Sequence, residues 1–338
     1  MTPRVLVTGG AGYIGSHMAL QLREAGAHVT VFDNLSTGHR DAAGGCELIE
    51  GDLRDLTSIS RVLSKGSFDV VMHFAASCYV GESMAAPEKY FLNNVVGSAN
   101  LLAAMRSAGL TRLVFSSTCA TYGEPRQVPI DEGHPQEPVN PYGLSKLTAE
   151  KMMREYARAY GFGVVSLRYF NAAGCDPAGR LGERHDPETH LIPLALMEAA
   201  RVSRGGKPDE TALQLFGTDF DTPDGSCVRD YVHVNDLCDA HRAAMQRLLG
   251  SAGGAFEAFN LGTGSGSSVK QVIEACRRAT GIDIRYRNAG RRPGDPARLV
   301  ADAKLARSAL AWQPKFSLDD IVATAWRWFA RPAAKASG

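Results

Sequence analysis

Short apolar runs alternate with longer amphipathic stretches through the first half of the chain. Residues 4–8 form a run typical of a buried strand, and after a glycine-rich segment Ile14, Met18 and Leu22 recur at helical spacing. This spacing predicts a helix over 14–25, closed by Gly26. Further strands are predicted at 28–33, 47–51, 69–74, 112–116 and 164–169. The segments between them are long enough for crossover helices, so the pattern indicates a parallel sheet with helices on both faces.

The second half of the chain has a different character. Gly, Pro and Asp accumulate at 175–187 and 217–225, and helical patterns occur at 191–204 and 235–249. We therefore expect a smaller, loop-rich second lobe, followed by an Ala-rich tail after Arg331.

Composition excludes several classes of protein. With 44% hydrophobic residues in 338, the chain has the composition of a globular protein with a sizeable core, not of a disordered or collagen-like one. Its 37 Lys plus Arg balance 36 Asp plus Glu, and no basic run exceeds a pair such as Arg291–Arg292. A net charge of +1 gives no long-range field for phosphate backbones, so we expect neither a nucleic acid nor a membrane partner.

Cysteine usage and the N-terminus bear on the compartment. The seven cysteines form a scattered, odd set without a Cys-x-x-Cys pair or a histidine at zinc-finger spacing. No signal-peptide pattern is present at the N-terminus, and no 18 apolar residues occur in succession. We therefore expect a cytoplasmic protein with reduced thiols and no metal site.

The first strand is followed by a glycine pattern that suits a dinucleotide. Gly9, Gly12 and Gly15 open the first helix, where a tight turn and a bare backbone allow a pyrophosphate to sit on the helix N-terminus. The second strand ends in Asp33-Asn34, where a carboxylate can accept hydrogen bonds from ribose hydroxyls and repel a 2′-phosphate. NAD is therefore favoured, with NADP kept as an alternative because Arg40 is near, and a Rossmann fold without a ligand as a further one.

A tyrosine and a lysine supply candidate acid–base chemistry. Tyr142 and Lys146 are four residues apart after a Pro-rich loop, which places both on one face of a helix. A phenol of pKa about 10 needs a shift of roughly 3 units to act as a base at pH 7, and one ammonium supplies about 1 to 3. We hypothesise that a positively charged, oxidised nicotinamide supplies the rest. Thr118, at the end of the fifth strand, can relay a proton between a sugar hydroxyl and Tyr142, although it can equally cap local backbone.

With these motifs in place, nearly the whole chain resembles the extended short-chain dehydrogenase/reductases, and within them the UDP-glucose 4-epimerases. The matching segments lie at 7–17, 33–35, 51–53, 73–75, 80–83, 93–94, 142–146, 167–171, 228–233, 260–262 and 291–295. The fold class is therefore expected to be α/β, a Rossmann-type doubly wound parallel sheet with a smaller α/β substrate-binding C-terminal lobe. Residues 1–172, with crossing segments near 228–262, are expected to bind NAD. Residues 173–227 and 263–331 are expected to bind the UDP-sugar, and 332–338 to form a tail.

The resemblance implies reversible NAD-dependent epimerisation at C4, with UDP-galactose and UDP-glucose as the expected pair. Tyr142 takes the 4-hydroxyl proton, a hydride passes from C4 to NAD, the 4-keto sugar turns over, and the hydride returns to the opposite face. The implied catalytic residues are Tyr142, Lys146 and Thr118. The implied cofactor-binding residues are Gly9, Gly12, Tyr13, Ile14, Gly15, Asp33, Asn34, Asp52, Leu53, Phe74, Ala75, Ala76, Asn93, Ser116, Tyr142, Lys146, Tyr169 and Phe170. The implied substrate-binding residues are Thr118, Tyr142, Asn171, His190, Leu191, Phe216, Arg229, Arg292, Asp295 and Leu299. A homodimer is implied as well.

Departures from the family pattern leave alternatives for the substrate. Cys78 stands where members often have Lys, and we expect it to be a small buried side chain. Leu299 stands where a Tyr excludes an N-acetyl group, so UDP-N-acetylhexosamines remain candidates, as do UDP-pentoses and UDP-uronates. Cys119-Ala120 occupies the place of the acid that dehydratases and decarboxylases need, which argues against those reactions. A noncatalytic NAD-sensing regulator would be free to lose Tyr142 or Lys146, and both are present.

Overall fold

The fold was analysed in a computed structural model that describes residues 2–251, 253–292 and 294–331. The strands are β1 Arg4–Thr8, β2 His28–Asp33, β3 Glu47–Glu50, β4 Val70–His73, β5 Arg112–Thr118, β6 Gly163–Tyr169, β7 Asn171–Ala173, β8 Gln214–Phe216, β9 Val228–Arg229, β10 Tyr231–His233, β11 Phe256–Leu261, β12 Ser267–Ser268, β13 Arg287–Ala289 and β14 Arg298–Leu299. The α-helices are α1 Tyr13–Glu24, α2 Leu56–Lys65, α3 Val80–Ala85, α4 Pro87–Tyr90, α5 Gly97–Ser107, α6 Pro141–Tyr160, α7 Leu191–Ser203, α8 Val234–Leu249, α9 Val269–Thr280, α10 Lys304–Leu310 and α11 Leu318–Phe329. Short 3₁₀ turns lie at Arg40–Ala43 and Cys119–Thr121, and a π-helical turn lies at Phe91–Val96.

A seven-stranded parallel sheet forms the centre, in the order β11-β6-β5-β4-β1-β2-β3. The α/β fold class predicted from the sequence, a doubly wound parallel sheet, is confirmed, and the first six strands lie where the apolar runs placed them. The seventh strand, β11, was not predicted. Pairing of Thr8 with His73 and of Thr118 with Tyr169 aligns the carboxyl ends of neighbouring strands along one edge. Such an edge is where open α/β sheets bind ligands.

Alternation along the strands divides the core into two layers. Val5 and Val7 of β1 pack on one face with apolar residues of α1, α8 and α10, whereas Leu6 packs on the other with residues of α2, α5 and α6. Because successive side chains of a strand point to opposite faces, a strand buried on both sides reads as the continuous apolar run seen in the sequence.

A further apolar cluster lies outside the central sheet. It joins α7, α9 and α11 through buried residues such as Ile192, Ile273 and Ile321. The remaining strands form small sheets in which β7 pairs with β10, β8 with β13, and β9 with both β12 and β14. Across the ranges given above, no helix is both long enough and apolar enough to cross a membrane.

Candidate active site

The backbone of the glycine loop between β1 and α1 is packed so closely that it leaves no room for a side chain at Gly9 or Gly15. Gly9 has a positive φ of 74°, and a Cβ on it would overlap the backbone of Ala75, two residues after β4. A Cβ on Gly15 would overlap the carbonyl of Gly9. Gly12 is the residue immediately before α1, so the loop leads a bare backbone onto a helix N-terminus. This cradle fits the diphosphate of a dinucleotide, as the sequence pattern suggested.

Asp33 connects the end of β2 to this loop. Its two carboxylate oxygens accept hydrogen bonds from the backbone N–H groups of Ala11 (2.9 Å) and Leu35 (2.8 Å), and the residue is buried. Asn34 donates to Asp52 (3.0 Å), and hydrogen bonds from Arg54 lower the pKa of Asp52 to about 2. The carboxylate of Asp33 therefore presents fixed negative charge where an adenosine ribose would bind, which suits NAD better than NADP.

Other predicted cofactor residues surround the same edge of the sheet. Three of them, Phe74, Ala75 and Ala76, directly follow β4. Leu53 is buried three residues after the end of β3, and Tyr13 and Ile14 are the first residues of α1. Asn93 lies in the π-helical turn, where its amide donates to Asn94 (3.2 Å). Cys78 is exposed, so the expectation that it is buried is wrong.

The catalytic candidates are positioned by the start of α6. Asn140 caps this helix by accepting a hydrogen bond from the N–H of Gly143 (2.8 Å), and Pro141 occupies the first turn, where its missing N–H is not needed. Tyr142 and Lys146 then face the sheet with only 8% and 4% of their surface exposed. The helix start therefore delivers both side chains to the carboxyl end of β5.

Contacts at the end of β5 hold the lysine in place. The Lys146 ammonium donates to the carbonyl of Ser116 (2.9 Å) and lies 4.7 Å from the centre of the Phe115 ring. The Ser116 hydroxyl is in turn paired with the Tyr169 hydroxyl at 2.6 Å. Thr118 accepts from the N–H of Ala120 (3.1 Å), so its oxygen caps local backbone while its own hydrogen remains available to donate.

Burial moves the two titrating groups in opposite directions. It raises the pKa of Tyr142 well above that of a free phenol, an effect that the Thr118 hydroxyl partly opposes. Burial also lowers the pKa of Lys146 to about 8. Without a further positive charge, Tyr142 therefore keeps its proton. The hypothesis that an oxidised nicotinamide completes the shift is consistent with this starting point.

A buried ion pair beneath the catalytic helix was missed by the sequence analysis. Glu150 of α6 and Arg168 of β6 are each about 2% exposed and are joined by hydrogen bonds of 2.6 to 3.2 Å. Ser117 and Ser166 donate to Glu150 (2.6 and 2.9 Å). Their only signals in the sequence were a Glu four residues beyond Lys146 and an Arg inside an apolar strand, and neither signal predicts the partner.

Several predicted substrate residues lie together. Arg229 of β9 forms an ion pair with Asp295, and the Arg292 guanidinium lies 3.8 Å from the centre of the Phe216 ring. Leu299 of β14 pairs with Arg229 in the small parallel ladder. Two guanidinium groups from distant segments and an aromatic face form an arrangement that can hold a diphosphate and a base.

The remaining predicted residues lie in three other elements of the chain. Phe170, at the exit of β6, is buried in one apolar cluster with Cys119, and Leu299 packs against that cluster. Asn171 begins β7. His190 precedes α7, Leu191 is the first residue of that helix, and the His190 Nδ1 lies 2.9 Å from Glu188.

Comparison with known proteins agrees with this geometry. Residues 5–262 match the model of the NAD dependent epimerase/dehydratase family. UDP-glucose 4-epimerase of Halalkalibacterium halodurans is 49% identical over 327 residues, which cover 96% of this chain and 95% of that protein. UDP-glucose 4-epimerase from Brucella ovis in complex with NAD has a TM-score of 0.92 at 47% identity, covering 97% and 99% of the two chains. The enzyme from Bifidobacterium longum in complex with NAD+ and UDP has a TM-score of 0.89 at 36% identity, covering 96% and 97%. The chain therefore belongs to the NAD dependent epimerase/dehydratase family, among the UDP-glucose 4-epimerases, and carries out NAD-dependent epimerisation of a UDP-sugar at C4.

Proposed function

We propose that the sugar pair is UDP-galactose and UDP-glucose, and that Tyr142, Lys146 and Thr118 carry the proton chemistry. One observation carries this proposal: Tyr142 and Lys146 share a buried face of α6 that is pressed against the carboxyl end of β5, where Thr118 lies. Supporting it, the relatives at 47–50% identity are named for UDP-glucose.

Each side chain has a distinct task in this reaction. Tyr142 removes the proton of the sugar 4-hydroxyl and later restores it to the opposite epimer. Lys146 lowers the pKa of Tyr142 through its charge, and Thr118 donates a hydrogen bond to the sugar oxygen and relays the proton. NAD held by the glycine loop and Asp33 would supply the hydride acceptor and donor for C4, so the reaction would be redox-neutral overall.

NAD and the UDP-sugar are assigned to separate parts of the chain. We propose that residues 1–172 and the segments near 228–262 bind NAD, because β11 completes the central sheet and the glycine cradle opens at its edge. Residues 173–227 and 263–331 then bind the UDP-sugar, with Arg229 and Arg292 on the diphosphate. A grip on the non-reacting nucleotide retains a sugar that must turn between two hydride transfers. The proposed tail at 332–338 lies outside the described residues.

A second substrate class is favoured by Leu299. Leu299 packs against the apolar cluster that contains Phe170 and Cys119, the residue that follows Thr118. Leucine is smaller than the tyrosine that the family pattern places at this position. The difference supports acceptance of UDP-N-acetylhexosamines. Leu299→Tyr is then expected to lower the rate with UDP-N-acetylglucosamine relative to UDP-glucose, whereas Leu305→Tyr, on the exposed side of α10, is expected to leave the ratio unchanged. An unchanged ratio in Leu299→Tyr contradicts this assignment.

We also infer a cytoplasmic homodimer. All seven cysteines are free thiols, which supports a reducing compartment.

The proposed dimer contact lies on the π-helical turn and α6, two elements that pack against each other. Both expose large apolar side chains, namely Phe91, Leu92, Val96 and Leu144. Such a patch supports a two-helix contact with a second copy. Sedimentation velocity is expected to give a dimer for the native chain and a monomer for Leu92→Glu, and a native monomer contradicts the inference.

The activity is tested with purified protein and no added NAD. Incubation with UDP-galactose, UDP-N-acetylgalactosamine and UDP-arabinose in parallel, with products identified by NMR, ranks the sugars. Tyr142→Phe is expected to keep NAD and UDP binding while losing activity by about 10²- to 10⁴-fold, because only the acid–base group is removed. Tyr160→Phe, on the exposed end of the same helix, is the matched control and should retain full activity. Full activity in Tyr142→Phe overturns the proposal.

A further inference from the structure

Two histidines and two glutamates converge in the irregular segment between β7 and α7. They follow the spacing Glu-x-His-x-x-Glu-x-His at Glu183, His185, Glu188 and His190. One donor atom from each side chain lies within 4.8 Å of the other three. The segment from 181 to 190 forms no helix or strand, so the loop has no backbone ladder to fix it.

The nitrogen and oxygen atoms of the cluster lie close enough together to surround one small cation. His185 Nδ1 lies 3.1 Å from Glu183 Oε1 and 3.6 Å from Glu188 Oε2. His190 Nδ1 lies 3.0 Å from Glu183 Oε1 and 2.9 Å from Glu188 Oε1. Four ligands at the usual zinc–nitrogen and zinc–oxygen bond lengths are about 3.4 Å apart, a separation that the side chains reach with one oxygen of each glutamate turned to the ion.

Hydrogen bonding alone does not satisfy the cluster. The Nδ1 atom of His185 is buried, and despite its short distance to Glu183 it has no hydrogen-bond partner, because the ring nitrogen is not directed at either carboxylate. A buried ring nitrogen without a partner is unfavourable. An ion placed between the four groups provides the missing partner, because the lone pair of His185 can be directed at the ion instead of at an oxygen.

The charges of the cluster are compatible with a bound cation. The side chains of Glu183 and Glu188 are only 4% and 5% exposed, and in the described ranges their ion-pair partners are the two histidines, with no lysine or arginine among them. Buried carboxylates require a compensating charge. Arg184, which lies between them in the sequence, instead binds Asp41. Without an ion, protonated imidazoles can supply this charge. One divalent cation supplies it equally well and displaces their protons, which leaves both imidazoles neutral, the form in which histidine binds metals.

We propose that Glu183, His185, Glu188 and His190 bind one Zn²⁺ ion with two nitrogen and two oxygen ligands. This ligand set suits zinc because Zn²⁺ binds imidazole and carboxylate together and favours four ligands in a closed structural site. The ion holds the 183–190 loop and thereby the start of α7. The site departs from the expectation of no metal, which rests on the cysteine and zinc-finger spacings alone. His190 then binds the ion and not the substrate, whereas the family resemblance implies substrate binding for it; the metal site does not depend on which sugar is preferred.

Metal content decides the proposal without any activity measurement. Untagged protein purified without chelators from zinc-supplemented medium is expected to contain about one zinc per chain by mass spectrometry. Stripped protein titrated with Zn²⁺ against a chromophoric chelator is expected to bind one equivalent with a submicromolar Kd. Co²⁺ in the same site should give the intense visible absorption of four-coordinate cobalt. Less than about one zinc per ten chains together with a Kd weaker than about 10 µM overturns the proposal.

Variants locate the site. His185→Gln and Glu188→Gln are each expected to weaken zinc binding by about 100-fold or more, because each removes one ligand. His28→Gln, an exposed histidine on β2, is the matched control and should bind zinc as the native chain does. Native affinity in His185→Gln overturns the assignment. Should a variant fail to fold, anomalous diffraction at the zinc edge from crystals of the native protein decides the matter, and a peak elsewhere, or none, overturns it.

Discussion

The buried pair of Glu150 and Arg168 should be among the most sensitive points of the fold. Glu150→Gln keeps the size of the side chain and removes its charge, which leaves Arg168 about 2% exposed and uncompensated. The substituted amide also places a donor against a guanidinium that currently donates to Glu150 through Nε and Nη2. Breaking such a buried pair by removing one partner destabilises a protein by about 3–5 kcal/mol. We expect a loss of this size in the free energy of unfolding and, for a chain of 338 residues, a fall in Tm of roughly 4–7 °C.

The assay is urea unfolding followed by tryptophan fluorescence and circular dichroism, at a fixed excess of NAD. The matched control is Glu155→Gln on the same helix. Glu155 and its ion-pair partner Arg158 are both well exposed. That exposed pair contributes at most about 0.5 kcal/mol. The double variant Glu150→Gln/Arg168→Gln should be more stable than Glu150→Gln alone, because no buried charge is left without a partner. Unfolding of Glu150→Gln within about 1 kcal/mol of the native chain would refute the reasoning.

The pH dependence supplies an independent check of the same pair. Burial alone would raise the pKa of Glu150, and the hydrogen bonds and charge of Arg168 outweigh it, so the pKa is lowered. A carboxyl whose pKa is lower in the folded state stabilises the fold above its unfolded pKa of about 4.3, and this contribution is lost as the pH falls below that value. The difference between the native chain and Glu150→Gln should therefore be constant from pH 6 to pH 8 and shrink in acid, as measured by urea unfolding at each pH.

Three further changes test other parts of the site. Gly15→Ala is expected to weaken NAD binding by about 10-fold or more in fluorescence titrations, because its Cβ overlaps a carbonyl of the loop, whereas Gly81→Ala, with open space around it, should not. Arg292→Lys is expected to raise KM for the UDP-sugar by about 10-fold with little change in kcat, since lysine cannot bind phosphate bidentately or stack on Phe216 as well; a fall in kcat alone would contradict this. Burial lowers the pKa of Lys146 to about 8. In NAD-free protein the buried charge therefore lowers the free energy of unfolding at pH values below about 8. This destabilisation decreases as the pH rises toward the unfolded pKa of about 10.4. Lys146→Met should therefore be the more stable form at pH 7, by up to about 3 kcal/mol, and lose this advantage near pH 10 in urea unfolding; a pH-independent difference would contradict it.

Local features of the site were predictable because they depend on neighbours in sequence. The glycine loop follows a strand and precedes a helix within a dozen residues, and Tyr142 and Lys146 share a helix face by spacing alone. Each of the six strands in the first half of the chain is an apolar run that can be predicted without reference to the others. β11 was missed because it completes the far edge of the sheet and its run, 256–261, carries a glutamate and an asparagine that blur the strand pattern.

The sequence by itself determined the α/β fold, the dinucleotide cradle and the Tyr–Lys pair. Only the tertiary structure decided which distant polar groups meet. Glu150 and Arg168 come from neighbouring elements of the sheet and helix layers, and Arg229 reaches Asp295 across 66 positions of the chain. Helical and strand periodicities are local, so a sequence can show which face of an element is apolar. A buried polar contact depends instead on the relative placement of whole elements, which packing of the entire core sets.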